Sequence, residues 1–232
     1  MTQCLGILHT TARLQTLNPC DACNVLPPAA NIAAKSRSAT RSVFLGDYRP
    51  AACPGPAKRA PEGTACLPTV AALLTKRAGP DSKIILAEGC GDQGDAGVPC
   101  GGGGSAVTPD VTAALQAADV VVLVIGEKTT DNDSVGNTGG EAKDRHSVAL
   151  PGNQAELVTA ALAAKKPLVV VILSGGSVSV DALAGAPNTA VVYPGFGGET
   201  GQDAIVDVLF GDAPASGRLP FTVWHDYASS TH

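Results

Sequence analysis

The stretch "TGGEAKDRHSVALPGNQAELV", residues 138–158, gathers ionisable side chains in a chain of which only 16% is charged. Five of them lie within six positions: Glu141, Lys143, Asp144, Arg145 and His146. Glycines precede Glu141, so its side chain could project from a loop into a cleft. A carboxylic acid with a raised pKa is the proton donor that acetal cleavage needs. From the residues alone, Glu141 is either such a donor or an ordinary solvated loop glutamate.

Strand and helix patterns alternate around this stretch. Two continuous apolar runs, "DVVVLVIG" (119–126) and "PLVVVILSGG" (167–176), are typical of strands covered on both faces. Further strands are predicted at "KIILAEG" (83–89), "TAVVYPG" (189–195) and "GRLPFTVW" (217–224). Helices are predicted over 69–79, 108–118, 151–165 and 199–211, with a short one at "SVSVDALAGA".

Strands that alternate with helices at this spacing predict an α/β fold. It is expected to be a doubly wound, mostly parallel sheet with helices on both faces, an α/β sandwich. Ligands of such sheets lie at the carboxyl ends of the strands. The glycine-rich loops after Gly126, Leu173 and Tyr193 fall at those ends.

Composition and charge exclude several kinds of partner. A net charge of -5 gives no basic footprint, which argues against nucleic acid and acidic membranes. No apolar run approaches the ~20 residues of a membrane helix, and the first residues lack the apolar core of a signal peptide. Aromatic residues make up only 3%, and Tyr193, Phe210 and Trp224 lie in or beside predicted core elements. That scarcity does not favour a glycan-binding surface.

Other chemistries find little support in the motifs. A dinucleotide or P-loop fingerprint is absent from the sequence. Ser174 in "LSGGS" follows a predicted strand but lacks the first glycine of a nucleophile elbow. Cys20 and Cys23 form a lone C-x-x-C without the partners of a zinc or redox site. We therefore expect neither a cofactor nor a metal ion.

The cysteines point to an oxidising compartment. Of seven, four lie in glycine- and proline-rich loops between residues 50 and 105: Cys53, Cys66, Cys90 and Cys100. Loop cysteines at such spacing are typical of disulfides in secreted proteins. An extracellular or secretory-pathway location is the expectation, although the chain carries no address of its own.

Several motifs in order resemble the C-terminal domain of glycoside hydrolase family 3. They are E-x-x-D-R from Glu141, "LPGNQAEL", "LSGG", "YPGFGG", "DVLFGD" and "GRLP". The resemblance runs from about residue 42 to 227 and is specific in combination. It implies an O-glycosyl hydrolase of β-xylosidase or β-glucosidase type that acts on β-linked glycosides or oligosaccharides.

The resemblance also implies roles for individual residues. Family members pack this domain on a TIM barrel that carries an aspartate nucleophile, and Glu141 matches the acid/base of the shared site. Asp144 and Arg145 match the pair that would brace the loop. Asp47 and Tyr48, in "FLGDYRPAACPG", either line the substrate cleft or form a turn. Glu127 is the alternative functional carboxylate, or a substrate-binding one.

The cysteines Cys90 and Cys100 are similar to the paired cysteines of plant-type β-xylosidases. The segment "NVLPPAANIAAKSRSAT" resembles the opening of the family domain but lacks its apolar strand and Gly-Pro. We therefore expect a poorly ordered or degraded leader at 1–41, the family domain at 42–227 and a tail at 228–232.

The predicted function is the C-terminal domain of a retaining exo-acting β-glycosidase that works with a family 3 barrel in cis or in trans. Without that barrel, the chain should be nearly inactive. Two alternatives remain at this point. The chain could be a non-catalytic carbohydrate-binding or interaction module, or an inactive gene fragment.

Overall fold

The computed structural model describes residues 6–7, 31–34, 68–80, 82–87, 89, 105–126 and 147–224, and for 6–7, 31–34 and 199 only the backbone. Within these ranges six strands form one sheet: β1 (Gly6–Ile7), β2 (Asn31–Ala34), β3 (Lys83–Leu86), β4 (Val120–Gly126), β5 (Leu168–Leu173) and β6 (Thr189–Tyr193). The α-helices are α1 (Val70–Ala78), α2 (Pro109–Ala117), α3 (Gln154–Ala163) and α4 (Gly201–Phe210). Short 3₁₀ turns lie at Asp181–Leu183 and Gly198–Thr200.

The strand order across the sheet is β1-β6-β5-β4-β2-β3. Every pairing among β2 to β6 is parallel, and β1 lies antiparallel to β6 at one edge. Parallel neighbours need crossover connections. The helices α1, α2 and α3 lie in these connections, except between β5 and β6, where the 3₁₀ turn Asp181–Leu183 does. The predicted doubly wound, mostly parallel sheet is confirmed.

The two central strands, β4 and β5, send alternate side chains into two separate cores. Val121, Leu123 and Ile125 of β4 pack with α2 and α3 on one face. Their neighbours Val120, Val122 and Val124 pack with α1 and α4 on the other. Because both faces are covered, all positions of these strands can be apolar, and the alternation is visible only in the packing.

Helix boundaries follow local capping chemistry. The hydroxyl of Thr69 accepts a hydrogen bond from the Ala72 N–H at 3.0 Å, and that of Thr108 accepts one from the Val111 N–H at 3.2 Å. Both satisfy N–H groups that the first helical turn leaves unpaired. The helix predicted over 151–165 begins later, at Gln154, because a turn with Gly152 at φ +56° precedes it.

A polar contact joins the end of α1 to the residues after α4. The guanidinium of Arg77 donates to the carboxylate of Asp212 and lies 5.0 Å from the ring centroid of Phe210. The hydrogen bond to Asp212, followed by its charge, raises the pKa of Arg77. Both side chains of the pair are about half exposed, so water screens it and it adds little to stability.

The expectation of little regular structure in residues 1–41 is wrong for residues 31–34. This segment forms β2, which pairs in parallel with β3 on one side and β4 on the other. The sequence "NIAA" carries a weak strand signal of its own. Its conformation depends on the two neighbouring strands, which a local pattern does not show.

Two predictions near the carboxyl end of the domain also need correction. Residues 217–224 form no strand: Pro220 lacks an N–H for a ladder, and Gly217 makes an isolated bridge. The alternation of this segment is nevertheless real, since Leu219, Phe221 and Val223 pack against a core. The short helix predicted at 177–186 is a single 3₁₀ turn.

Two glutamines occupy matching positions in helices on opposite faces of the sheet. Gln154 begins the buried stripe of α3, followed by Leu157, Val158 and Ala161. Gln202 stands in the same relation to Ile205, Val206 and Leu209 of α4. Their exposed fractions are 1% and 0%.

The two buried amides differ in their hydrogen bonds. Gln154 Nε2 donates to the carbonyl of Gly126 at 2.7 Å, and the Gly126 N–H donates to Gln154 Oε1 at 2.8 Å. Gln202 Nε2 and Oε1 have no hydrogen-bond partner among the described residues. A buried amide is stable when it is paired and costly when it is not.

We therefore predict opposite effects from the same substitution at the two sites. Gln154→Met should lower the free energy of unfolding by about 1–3 kcal/mol for each backbone group of Gly126 left unpaired. Gln202→Met removes an unpaired amide of similar volume and should raise that free energy by about 1 kcal/mol. Denaturant unfolding of the three proteins measures both changes. A loss at Gln202 as large as that at Gln154 would contradict the assignment.

Candidate active site

The candidate site lies at the edge of the sheet where the central parallel strands end. Gly126 at the end of β4 is the register partner of Leu173 at the end of β5. Their neighbour β6 ends at Tyr193 along the same edge. These three strands therefore end side by side along one edge, as the sequence predicted. Open α/β sheets bind ligands at such an edge.

The described residues include the strand ends at this edge. The predicted site residues all lie outside the described residues. This holds for Asp47, Tyr48, Cys90, Cys100, Glu127, Glu141, Asp144 and Arg145. Four of them belong to one stretch, 127–146, that begins directly after Gly126. The described residues on either side of that stretch determine where it starts and ends.

The starting point of this stretch is a backbone position that requires glycine. Gly126 has φ +147°, and a Cβ built on it would lie 1.9 Å from the carbonyl oxygen of Leu173. No side chain fits so close to backbone of the neighbouring strand. The chain therefore leaves β4 in contact with β5, in a direction that another residue could not adopt.

The end of the stretch is also attached to this edge. The Ser179 N–H, after β5, donates to the carbonyl of Val148 at 2.6 Å. The hydroxyl of Ser147 accepts from the Ala149 N–H at 3.0 Å, and Pro151 is buried. Residues 147–151 are thus held against the segment that follows β5.

The segment after β5 is itself fixed by hydroxyl groups. Ser174 Oγ donates to the carbonyl of Gly176 at 2.8 Å and accepts from its N–H at 3.2 Å. The phenol of Tyr193 donates to the same carbonyl, and its ring meets that of Phe221 edge-on at 5.4 Å. Ser174 is 1% exposed, so its hydroxyl is a structural group and the serine-hydrolase alternative loses its nucleophile.

An aromatic ring covers the neighbouring glycine. A Cβ at Gly175 would lie 2.5 Å from the ring of Phe196, which follows β6. The Phe196 ring is half-buried and also packs on the core that α1 and α4 share. Its contact with Gly175 places the segments after β5 and β6 against each other.

The stretch that carries Cys90 and Cys100 begins and ends at neighbouring points. A Cβ at Gly89 would lie 2.8 Å from the carbonyl oxygen of Ala106 and 2.4 Å from Leu157 of α3. Glu156 of the same helix accepts hydrogen bonds from the Ser105 hydroxyl at 2.8 Å and the Ala106 N–H at 2.9 Å. Helix α3 therefore contacts both ends of the cysteine-bearing stretch.

Among the described residues, no three His, Cys, Asp or Glu side chains converge to hold a metal ion. In the same ranges, no helix is both long and apolar enough to cross a membrane.

Trp224 is 39% exposed, so its predicted place beside the core is wrong, whereas Tyr193 is buried as expected.

The sequence assigns no role at this edge to Gln154 or Tyr193. Their side chains form hydrogen bonds with backbone carbonyl groups there. A signal for Gln154 was present: it occupies the first position of the apolar stripe of α3, where a polar side chain needs an internal partner. The partner, Gly126, lies 28 positions earlier in the chain, and no local pattern indicates that pairing.

Known proteins resemble about two thirds of this chain in sequence. Probable beta-D-xylosidase 6 of Arabidopsis thaliana is 36% identical over 148 residues, which are 62% of this chain and 16% of that protein. The periplasmic beta-glucosidase of Salmonella typhimurium is 31% identical over 171 residues, 66% of this chain and 21% of that protein. The chain thus spans about a fifth or less of these relatives.

A solved structure shares the fold. The β-glucosidase of Listeria innocua, in complex with isofagomine, superposes with a TM-score of 0.62 at 23% identity over 96% of this chain and 26% of the other. The family model for the glycosyl hydrolase family 3 C-terminal domain matches residues 21–231. The parallel sheet, the ordered motifs and this match agree, and the chain belongs to the glycosyl hydrolase family 3 C-terminal domain family.

Proposed function

We propose that the chain is the C-terminal domain of a retaining exo-acting β-glycosidase and that Glu141 is its acid/base. The single observation that carries the proposal is the position of the E-x-x-D-R stretch. The stretch 127–146 that contains this motif begins directly after Gly126, which lies next to the end of β5. Relatives of the chain include enzymes named as β-xylosidases and β-glucosidases. The reaction is hydrolysis of O-glycosidic bonds in carbohydrate breakdown.

Retaining hydrolysis needs two carboxyl groups ~5–5.5 Å apart. In the first step the Glu141 carboxylic acid gives its proton to the leaving oxygen while an aspartate of the barrel attacks the anomeric carbon. In the second step the Glu141 carboxylate takes a proton from water, which displaces the aspartate. This chain supplies one carboxyl group, so a family 3 TIM barrel, in cis or in trans, must supply the other.

The remaining site residues support these steps. Asp144 and Arg145 form an ion pair that braces the loop of Glu141. Asp47, Tyr48 and Glu127 contact the β-linked glycoside or oligosaccharide substrate. The described frame supports this arrangement, because the stretch 127–146 starts at a fixed glycine and ends at residues held by Ser179.

The first prediction for this function concerns the proton transfers. In a fusion of this chain to a family 3 barrel, Glu141→Gln should reduce turnover of poor leaving groups by roughly 10²–10⁴-fold. Activated leaving groups need no proton, so their first step should remain fast. Added azide should then restore the second step, since it attacks without a general base. Steady-state and burst kinetics with both substrate types measure these effects.

Asp144→Ala is the matched control within the same loop. It should lower activity by loosening the loop, and azide should not rescue it. Near-normal hydrolysis of a xylobiose-type substrate by the Glu141→Gln protein would exclude Glu141 as the acid/base. The assignment would then pass to Glu127.

We also propose an extracellular or secretory location with a disulfide between Cys90 and Cys100. Support comes from the neighbouring positions of Gly89 and Ala106 at the ends of this stretch and from a relative named as periplasmic. Closing so short a loop should stabilise the protein by roughly 2–3 kcal/mol. Mass spectrometry of non-reduced peptides should find the two cysteines linked, and two free thiols would remove the claim.

A carbohydrate-binding module is the competing function, and it predicts affinity without a barrel. Such modules hold sugars on exposed aromatic side chains, and among the large apolar side chains described here Trp224 is the one exposed aromatic. We expect negligible binding of xylo- or gluco-oligosaccharides by the isolated chain in calorimetry. Sub-millimolar binding, lost in Trp224→Ala, would favour the module instead.

A further inference from the structure

The pairing of Gln154 with Gly126 has a consequence for catalysis. Gln154 belongs to the "LPGNQ" motif, to which the proposed mechanism assigns no step. Its amide bonds both backbone groups of the residue at which the stretch 127–146 begins. These two bonds fix the peptide groups on both sides of Gly126, and hence the direction in which the chain leaves β4.

Burial of Gln154 and short hydrogen-bond distances strengthen its contact with Gly126. Gln154 is 1% exposed, and the distances of 2.7 and 2.8 Å are short for amide hydrogen bonds. A shift of Gly126 would leave both polar atoms of the buried Gln154 amide without these partners. The carbonyl of Leu173 on the other side of Gly126 prevents a shift in that direction.

Gln202 shows that backbone pairing is not a general property of a buried glutamine in the first turn of a helix. Gln202 also lies in the first turn of its helix, α4, and is equally buried. Its amide has no hydrogen-bond partner in the described part of the chain. A glutamine at this helical position therefore does not pair with backbone as a matter of course. The pairing is specific to α3 and the end of β4.

We propose that Gln154 is a positioning residue for the catalytic carboxylate loop. It holds the end of β4 so that the stretch carrying Glu127 and Glu141 starts from one place, and it acts on the reaction only through that stretch. The inference rests on the proposed function. A displacement of a catalytic group by about 1 Å can cost on the order of 10²-fold in rate.

The test uses the barrel fusion with Gln154→Met. We expect kcat for poor leaving groups to fall by roughly 10–10²-fold. With activated leaving groups the first step should stay fast, and added azide should restore the second. Gln154→Asn keeps an amide but is one methylene shorter, and should lie between the parent and Gln154→Met. In a Glu141→Gln background, Gln154→Met should cause no further loss, because both changes remove the same proton transfer.

Two controls separate positioning from loss of stability. Leu209→Ala empties a fully buried site in α4 and destabilises the fold without touching Gly126. Gln202→Met changes the equivalent glutamine. Both should leave the preference between leaving groups unchanged.

Hydrogen exchange on the chain alone gives a second measurement that needs no barrel. The Gly126 amide should exchange at least tenfold faster in Gln154→Met than in Leu209→Ala, because only the first change removes its acceptor.

The possible results separate a failure of the positioning role of Gln154 from a failure of the proposed function. If Glu141→Gln loses turnover and Gln154→Met does not, or if the two losses multiply in the double variant, the positioning role is wrong and the acid/base stands. Equal Gly126 exchange in Gln154→Met and Leu209→Ala would also overturn it. If Glu141→Gln is fully active, the proposed function has failed instead.

Discussion

The exclusion of water from both faces of β4 and β5 is the constraint on which the rest of this structure depends. All of β5 and all but the last residue of β4 are buried, so their backbone groups must pair within the sheet. Parallel pairing over Val121 to Gly126 does so and places both carboxyl ends together. The two cores, the helices that cover them and the location of the candidate site follow from that arrangement.

Several polar groups at this edge form hydrogen bonds within the protein. Where the ladder ends at Gly126, the amide of Gln154 takes its place. After β5 the carbonyl of Gly176 accepts from the hydroxyls of Ser174 and Tyr193. Such internal hydrogen bonds cost conformational entropy, and in return they hold the ends of the loops in one position. Catalytic groups on loops depend on a frame of this kind.

Membership of family 3 explains why this chain carries only one of the two carboxyl groups that the proposed reaction needs. The chain spans about a fifth or less of the relatives it matches, and double displacement requires two carboxyl groups. One of them can lie on a domain such as this if its loop is held firmly enough to meet the other. The attachments at Gly126 and Val148 fix the described residues on either side of the stretch that carries the proposed acid/base.

The sequence by itself determined the elements whose signals are local: the apolar runs of β4 and β5 and the threonine caps at Thr69 and Thr108. Ordered motifs, read as a resemblance, also indicated the family and the candidate acid/base. Tertiary structure alone decided that residues 31–34 form a strand and that 217–224 do not, because ladder partners come from distant segments. Among the described residues, it also decided that buried Gln154 is paired and buried Gln202 is not, since a hydrogen bond across 28 positions depends on how helix and sheet pack.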